Sequence, residues 1–229
     1  MLRPIRNVTI AGVAVALMLG LAGPARAAVI WDESVNGPFG DFDHQTQLGP
    51  FAAGDNEIRG TVGQTSPGVF DRDYFSFSVP AGLELTGLVV VNATSAGPLD
   101  ISFIGIGAGT AITVGPVPTP PDASFLLGWR HYSPADIGSD ILAEIGSPTS
   151  PMGAAGFVPP LGEGDYAVWI QETAACTTCI YDFDFVLAAI PEPASGALVL
   201  TGLALLAGLA AVSSPLTIAG NLTSFGRRA

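Results

Sequence analysis

The chain has 229 residues, with 20 acids against eight basic residues and a formal charge of −12. All eight bases are arginines, and so acidic a chain lacks the clustered cations that nucleic-acid binding needs. Twelve Phe, four Tyr and three Trp argue for a packed core, while 29 Gly and 19 Pro stay below the content of low-complexity disorder.

Arg3 and Arg6 open the chain, followed by an uncharged stretch from Val8 to Ala22 and the segment Pro24-Ala25-Arg26-Ala27. A basic start, a short apolar run and an Ala-x-Ala end make a secretory signal peptide. The spacing predicts a signal helix over 1–27 and cleavage between Ala27 and Ala28. The run is short for a membrane span.

Residues 28–190 form the exported body, and their runs read as strands. Asp73 to Val79 alternates, with Phe75, Phe77 and Val79 on one face and Tyr74, Ser76 and Ser78 on the other. Leu88-Val89-Val90-Val91 reads as a strand buried on both faces for part of its length. Leu99 to Phe103, Tyr166 to Gln171 and Tyr181 to Leu187 alternate again. Pro80-Ala81-Gly82, Ser95-Ala96-Gly97-Pro98 and Gly162-Glu163-Gly164-Asp165 supply turns. Proline-rich segments over 115–122 and 146–160 cannot supply ladder N–H groups and read as surface loops. The expected fold is all-β: one antiparallel β-sandwich or jelly roll, flanked by the signal helix and a C-terminal transmembrane helix.

The segments Gly54 to Val62 and Asp71-Arg72-Asp73-Tyr74-Phe75-Ser76-Phe77-Ser78-Val79-Pro80-Ala81-Gly82, with Gly164-Asp165-Tyr166 later, resemble a bacterial pre-peptidase C-terminal domain. That resemblance implies a small jelly roll serving as an accessory of secreted proteins, without catalysis.

Asp71 and Asp73 are the sharpest acidic pair. Alternation puts Asp73 on the inward face, where a charge cannot simply be buried. It either caps loop N–H groups at the start of the strand or joins Asp71 around a calcium ion. Asp182 and Asp184 share a face read as solvent. Asp32, Glu33, Asp41 and Asp43 read as a solvated acidic stretch. In Trp129-Arg130-His131-Tyr132, Trp129 and Tyr132 are the residues of a sugar-stacking platform, or else Trp129 is a core anchor. Cys176 and Cys179 lie between two strands. Export places them in an oxidising compartment, which predicts a disulfide across a hairpin tip. His44 and His131 lack partners at metal spacing. No Gly-x-Ser-x-Gly elbow or HExxH helix occurs, so the body reads as non-enzymatic and needs no cofactor other than the calcium alternative.

Residues 191–229 begin Pro191-Glu192-Pro193. The stretch Gly196 to Val212, GALVLTGLALLAGLAAV, is apolar on every helical face and long enough to span a bilayer. Arg227 and Arg228 follow, and basic residues prefer the cytoplasmic side. Pro-Glu-Pro, a short Gly/Ala/Leu span and terminal arginines resemble the PEP-CTERM sorting signal. The resemblance implies recognition of the tripeptide by an exosortase of the inner membrane, and bacteria that make extracellular polysaccharide. In that family the arginines directly follow the span; here Ser213 to Gly226 intervenes. The expected function is therefore that of an exported envelope or extracellular-matrix protein, associated with exopolysaccharide or biofilm. The alternatives are a carbohydrate- or calcium-binding module and, third, a secreted hydrolase.

Overall fold

The computed structural model describes residues 27–94, 102–114, 122–147, 153–172 and 176–191. The predicted signal helix up to residue 26, Glu192 and Pro193 of the sorting motif, and the span at 196–212 lie outside these residues. Among the described residues no helix is long and apolar enough to cross a membrane.

The body is all-β. Its strands are β1 (Ala28–Asp32), β2 (Thr46–Pro50), β3 (Gly54–Ser66), β4 (Val69–Val79), β5 (Leu83–Ala93), β6 (Ser102–Ala108), β7 (Gly128–Tyr132), β8 (Gly164–Glu172) and β9 (Cys179–Ala189). Two short helices, α1 (Glu33–Asn36) and α2 (Leu142–Gly146), interrupt them. The compact unit ends at Ala189.

The strands pair in the order β5-β9-β3-β4-β8-β6-β7, with β1 added to β3 and β2 to β4. The two added pairs are parallel, so the expectation of a purely antiparallel sheet needs correcting at those edges. Strands β3 and β4 are long enough to serve two partners each. Gly54 to Val62 of β3 pairs with β9, and its end pairs with the start of β4. From Arg72 to Val79, β4 pairs with β8. The sheet thus turns through the β3–β4 hairpin, and its two halves face each other.

Rings mark that meeting. Phe75 and Phe77 of β4 lie edge-on to Phe185 of β9 at centroid distances of 6.1 and 5.2 Å. Phe51 stacks on Phe77 at 4.4 Å. All four are essentially inaccessible, and each contributes about 1.5–3 kcal/mol by leaving water.

The seam between the end strands β5 and β7 is closed by residues 133–146. Gly138 N–H donates to Val90 O (2.7 Å) and Ile141 N–H to Leu88 O (2.8 Å). The Asp140 carboxylate accepts from Leu88 N–H at 2.9 Å. Leu142 and Ile145 of α2 bury their side chains in the core. This cover satisfies polar groups that an edge strand would otherwise expose.

Two expectations change here. Leu88 and Val90 are buried, but Val91 is 37% exposed, so β5 alternates rather than burying both faces. Both faces are instead buried in β6 and β8. Behind them Tyr74, Phe103, Trp129 and Trp169 form a second cluster under Ile112, Ala123 and Leu126. Long loops cover that outer face where alternation alone implies solvent.

Candidate functional site

Strand β4 changes neighbours along one edge. β4 leaves β3 after Asp71 and takes up β2 at Phe75. Between them Tyr74 N–H reaches Gly40 O at 3.1 Å. The chain over 37–45 crosses this gap, and a cleft of about 220 Å³ opens between it and β4.

Alternation along β4 builds one wall. Phe70, Arg72 and Tyr74 fall on the outer face, while Asp73 and Phe75 point into the core. The Arg72 guanidinium lies 4.9 Å over the Phe70 ring, and its Nε donates to Gln171 Oε1 at 2.9 Å. Phe42 meets Tyr74 edge-on at 5.8 Å. Tyr74 is 1% exposed, and its hydroxyl has no hydrogen-bond partner among the described residues. Burial pushes its pKa up, with Arg72 and Asp41 near enough to act on it.

Three carboxylates share the cleft: Asp41, Asp43 and Asp71. Asp41 is occupied by its own turn. Its Oδ1 accepts from Asp43 N–H (3.1 Å) and His44 N–H (2.9 Å), and it meets His44 Nδ1 at 3.2 Å. His44 holds its pKa below the usual carboxylate range. The carboxylates of Asp43 and Asp71 have no partner among the described residues, and Arg72 forms no ion pair there.

The structure separates the pair predicted from sequence. Asp71 is exposed at the cleft, whereas Asp73 is 1% exposed inside the core. The Tyr181 hydroxyl donates to Asp73 Oδ2 at 2.7 Å. Burial, reinforced by Glu33, pushes the Asp73 pKa well above the carboxylate range. Among the described residues no three His, Cys, Asp or Glu side chains are grouped to hold a metal ion.

The other acids are placed differently from a solvated surface. Asp32 caps α1 through Ser34 N–H at 2.9 Å. Glu33 accepts from Phe39 N–H and Thr61 N–H at 2.8 and 2.7 Å. Asp182 is only 8% exposed, because it sits across the β3–β9 register from Arg59. Arg59 reaches Asp182 Oδ2 at 3.3 Å, Glu57 Oε1 at 2.5 Å and Asp32 Oδ2 at 3.7 Å. Burial, then the Glu57 charge, raises the Asp182 pKa to about 7.

Trp129 and Tyr132 do not share a platform. Trp129 packs on Phe103 in the outer cluster at 5.8 Å, while Tyr132 meets Phe183 in the core at 5.0 Å. Both are buried, since their spacing of three places them on opposite faces of β7. Cys176 and Cys179 form a disulfide with Cα atoms 5.9 Å apart. It does not cross a hairpin tip: β8 and β9 belong to different halves of the curled sheet and do not pair, and Cys176 and Thr177 lie beside β3 at Gly63. There Cys176 O accepts from Gln64 N–H at 2.6 Å.

Sequence reading missed the cleft. The Phe70-Arg72-Tyr74 spacing was a usable signal for one wall; the return of residues 39–43 onto it was not.

The fold and cleft define an all-β protein built on a curled, mostly antiparallel sheet, with a small polar and aromatic site where the sheet splits. No family model, curated protein or solved structure matches the chain.

Proposed function

We propose that this chain is the precursor of an exported, non-enzymatic protein of the cell envelope or extracellular matrix, handed to its destination by the PEP-CTERM-like tail. The observation that carries the reading is the Cys176–Cys179 disulfide. Such bonds persist in oxidising compartments and are rare in the cytosol. Two boundaries support it. Strand β1 starts at Ala28, the first residue after the predicted signal cut, and the compact unit ends at Ala189, just before Pro191. The face-to-face halves of the body support a single β-sandwich of jelly-roll type. An accessory role, as the pre-peptidase C-terminal resemblance implies, suits a body in which acids such as Asp32, Asp136 and Asp182 serve caps and ion pairs. In this reading an exosortase processes the tail at the inner membrane, and the body then reaches the surface or the polysaccharide matrix.

The test is fractionation of the producing cells. Wild type should appear outside the inner membrane, shortened at both ends and with Cys176 and Cys179 oxidised. Pro191→Ala combined with Glu192→Ala should leave a chain with its tail intact in the inner membrane. Release of the double variant at the wild-type rate would overturn the sorting role. Recovery of wild type in the cytosol with Met1 retained would overturn export.

A further inference from the structure

The cleft where β4 changes partners holds opposite charges that do not neutralise each other. Arg72 is stacked on Phe70 and tied to Gln171 through Nε only, so its terminal nitrogens remain to donate. Asp43 and Asp71 line the same cleft with their carboxylates unpaired among the described residues. The Tyr74 hydroxyl adds a buried donor and acceptor without a partner. Leaving such a group unsatisfied costs about 1–3 kcal/mol, a cost that a ligand reaching it through the cleft would offset.

The chemistry of the walls selects that molecule. A cationic ligand would meet the carboxylates but also the Arg72 charge. An anionic ligand would meet Arg72 but face three aspartates, within a body of three arginines against 19 acids. A neutral polyhydroxy ring fits all of it. Its hydroxyls donate to Asp43 and Asp71, accept from Arg72 and do both with Tyr74, while its C–H face lies against the Phe42 and Phe70 rings. The volume of about 220 Å³ is below the roughly 300–1,000 Å³ of sites for drug-sized ligands, which limits the guest to one ring. We infer that the cleft between β4 and residues 39–43 binds a neutral sugar residue at the end or branch of a glycan. The inference deepens the proposed function, resting on export only for where the glycan is met.

Binding is measured with purified full-length chain in detergent micelles, by titration with maltohexaose, cellohexaose and mannohexaose. Hexalysine and a polygalacturonate oligomer serve as charged probes. At least one neutral oligosaccharide should bind saturably, with an affinity unchanged between low and high salt. Arg72→Gln and Asp43→Asn should each weaken it about tenfold, the scale of one charge-assisted hydrogen bond. Tyr74→Phe should also weaken binding, while its melting temperature stays level or rises, because the variant removes a buried hydroxyl that the fold itself does not use. Absence of binding by all three neutral probes, or wild-type affinity in both Arg72→Gln and Asp43→Asn, overturns the inference. So does salt-sensitive capture of hexalysine in their place, which would make the cleft a cation site. These readouts use purified protein, so they stand or fall separately from tail processing.

Discussion

The Tyr181 hydroxyl meets the buried Asp73 carboxyl 2.7 Å away, joining β9 to β4 across the core. No cation accompanies the acid among the described residues, and Glu33 faces it with like charge. The pair is therefore a polar tie between the two halves of the sheet, held by one hydrogen bond. Tyr181→Phe removes the donor and leaves Asp73 buried without it. We expect a loss of about 1–3 kcal/mol in denaturant unfolding at neutral pH.

The same acid gives the fold a pH dependence. A carboxyl whose pKa is raised by folding takes up its proton more readily in the folded chain. Its contribution favours the fold at low pH and is lost as pH rises above the ordinary carboxylate range. Asp73→Asn keeps an acceptor for Tyr181 and carries no charge. The variant should match wild type near pH 4 and exceed it in stability at pH 8. Unfolding curves at the two pH values check this, and an equal difference at both would refute the assignment.

Asp182 offers the counterpart on the outer face of the β3–β9 pair. Its pKa of about 7 again means stability contributed at low pH and lost as pH climbs from about 4 to about 7. Asp182→Asn should flatten the stability profile over that window, because Glu57 and Asp32 still hold Arg59. Arg59→Gln acts in the opposite direction. It leaves Glu57 and Asp182 together without their cation; with the Arg59 side chain 42% exposed and screened by solvent, the loss should be about 1 kcal/mol at pH 8, falling as the acids protonate. Thermal melts across the window measure both.

Removing the disulfide should matter little to equilibrium stability. The bond closes a loop between residues only three apart, so it constrains the unfolded chain weakly and belongs at the low end of about 0–5 kcal/mol. Cys176→Ser with Cys179→Ser should lower the melting temperature by a few degrees and leave the far-ultraviolet spectrum unchanged.

How much of this was legible in sequence follows from what alternation can encode. The inward faces of β4 and β9 were readable because Phe75, Phe77, Tyr181, Phe183 and Phe185 repeat every second residue. Which strands pair was not, so the Cys176–Cys179 loop was expected at a hairpin tip and instead lies beside β3 at Gly63. The same limit hid Arg59 opposite Asp182, a relationship of register between segments more than a hundred residues apart. Alternation also cannot tell a solvent face from one roofed by loops. That is why Trp129 and Trp169 lie buried behind β6 and β8, and why the platform expected of Trp129 and Tyr132 dissolves onto two faces. Asp71 stood out in sequence only as the partner of Asp73, and its neighbours in the cleft arrive from residues 39–43, which no local pattern announces.

Gly60 tests the core tie from the backbone side. It lies in β3 across the register from Tyr181, and a β-carbon there would sit 2.3 Å from the Tyr181 hydroxyl oxygen. The ring cannot retreat without giving up Asp73, since the hydroxyl and its ring both press on the same spot. Gly60→Ala must therefore either shift β3 from β9 or break the hydrogen bond to a buried acid. We expect a loss of about 1–3 kcal/mol, the cost of overpacking or of an unsatisfied buried group. In the Tyr181→Phe background the hydroxyl contact and its bond to Asp73 are gone, while the ring carbons would still lie 2.5 and 2.9 Å from that β-carbon; the ring is then free to shift, so the same substitution should cost less there without becoming free. A double-mutant cycle by denaturant unfolding reads this coupling. Additive losses would show that Gly60 and the Tyr181 hydroxyl do not compete for one place.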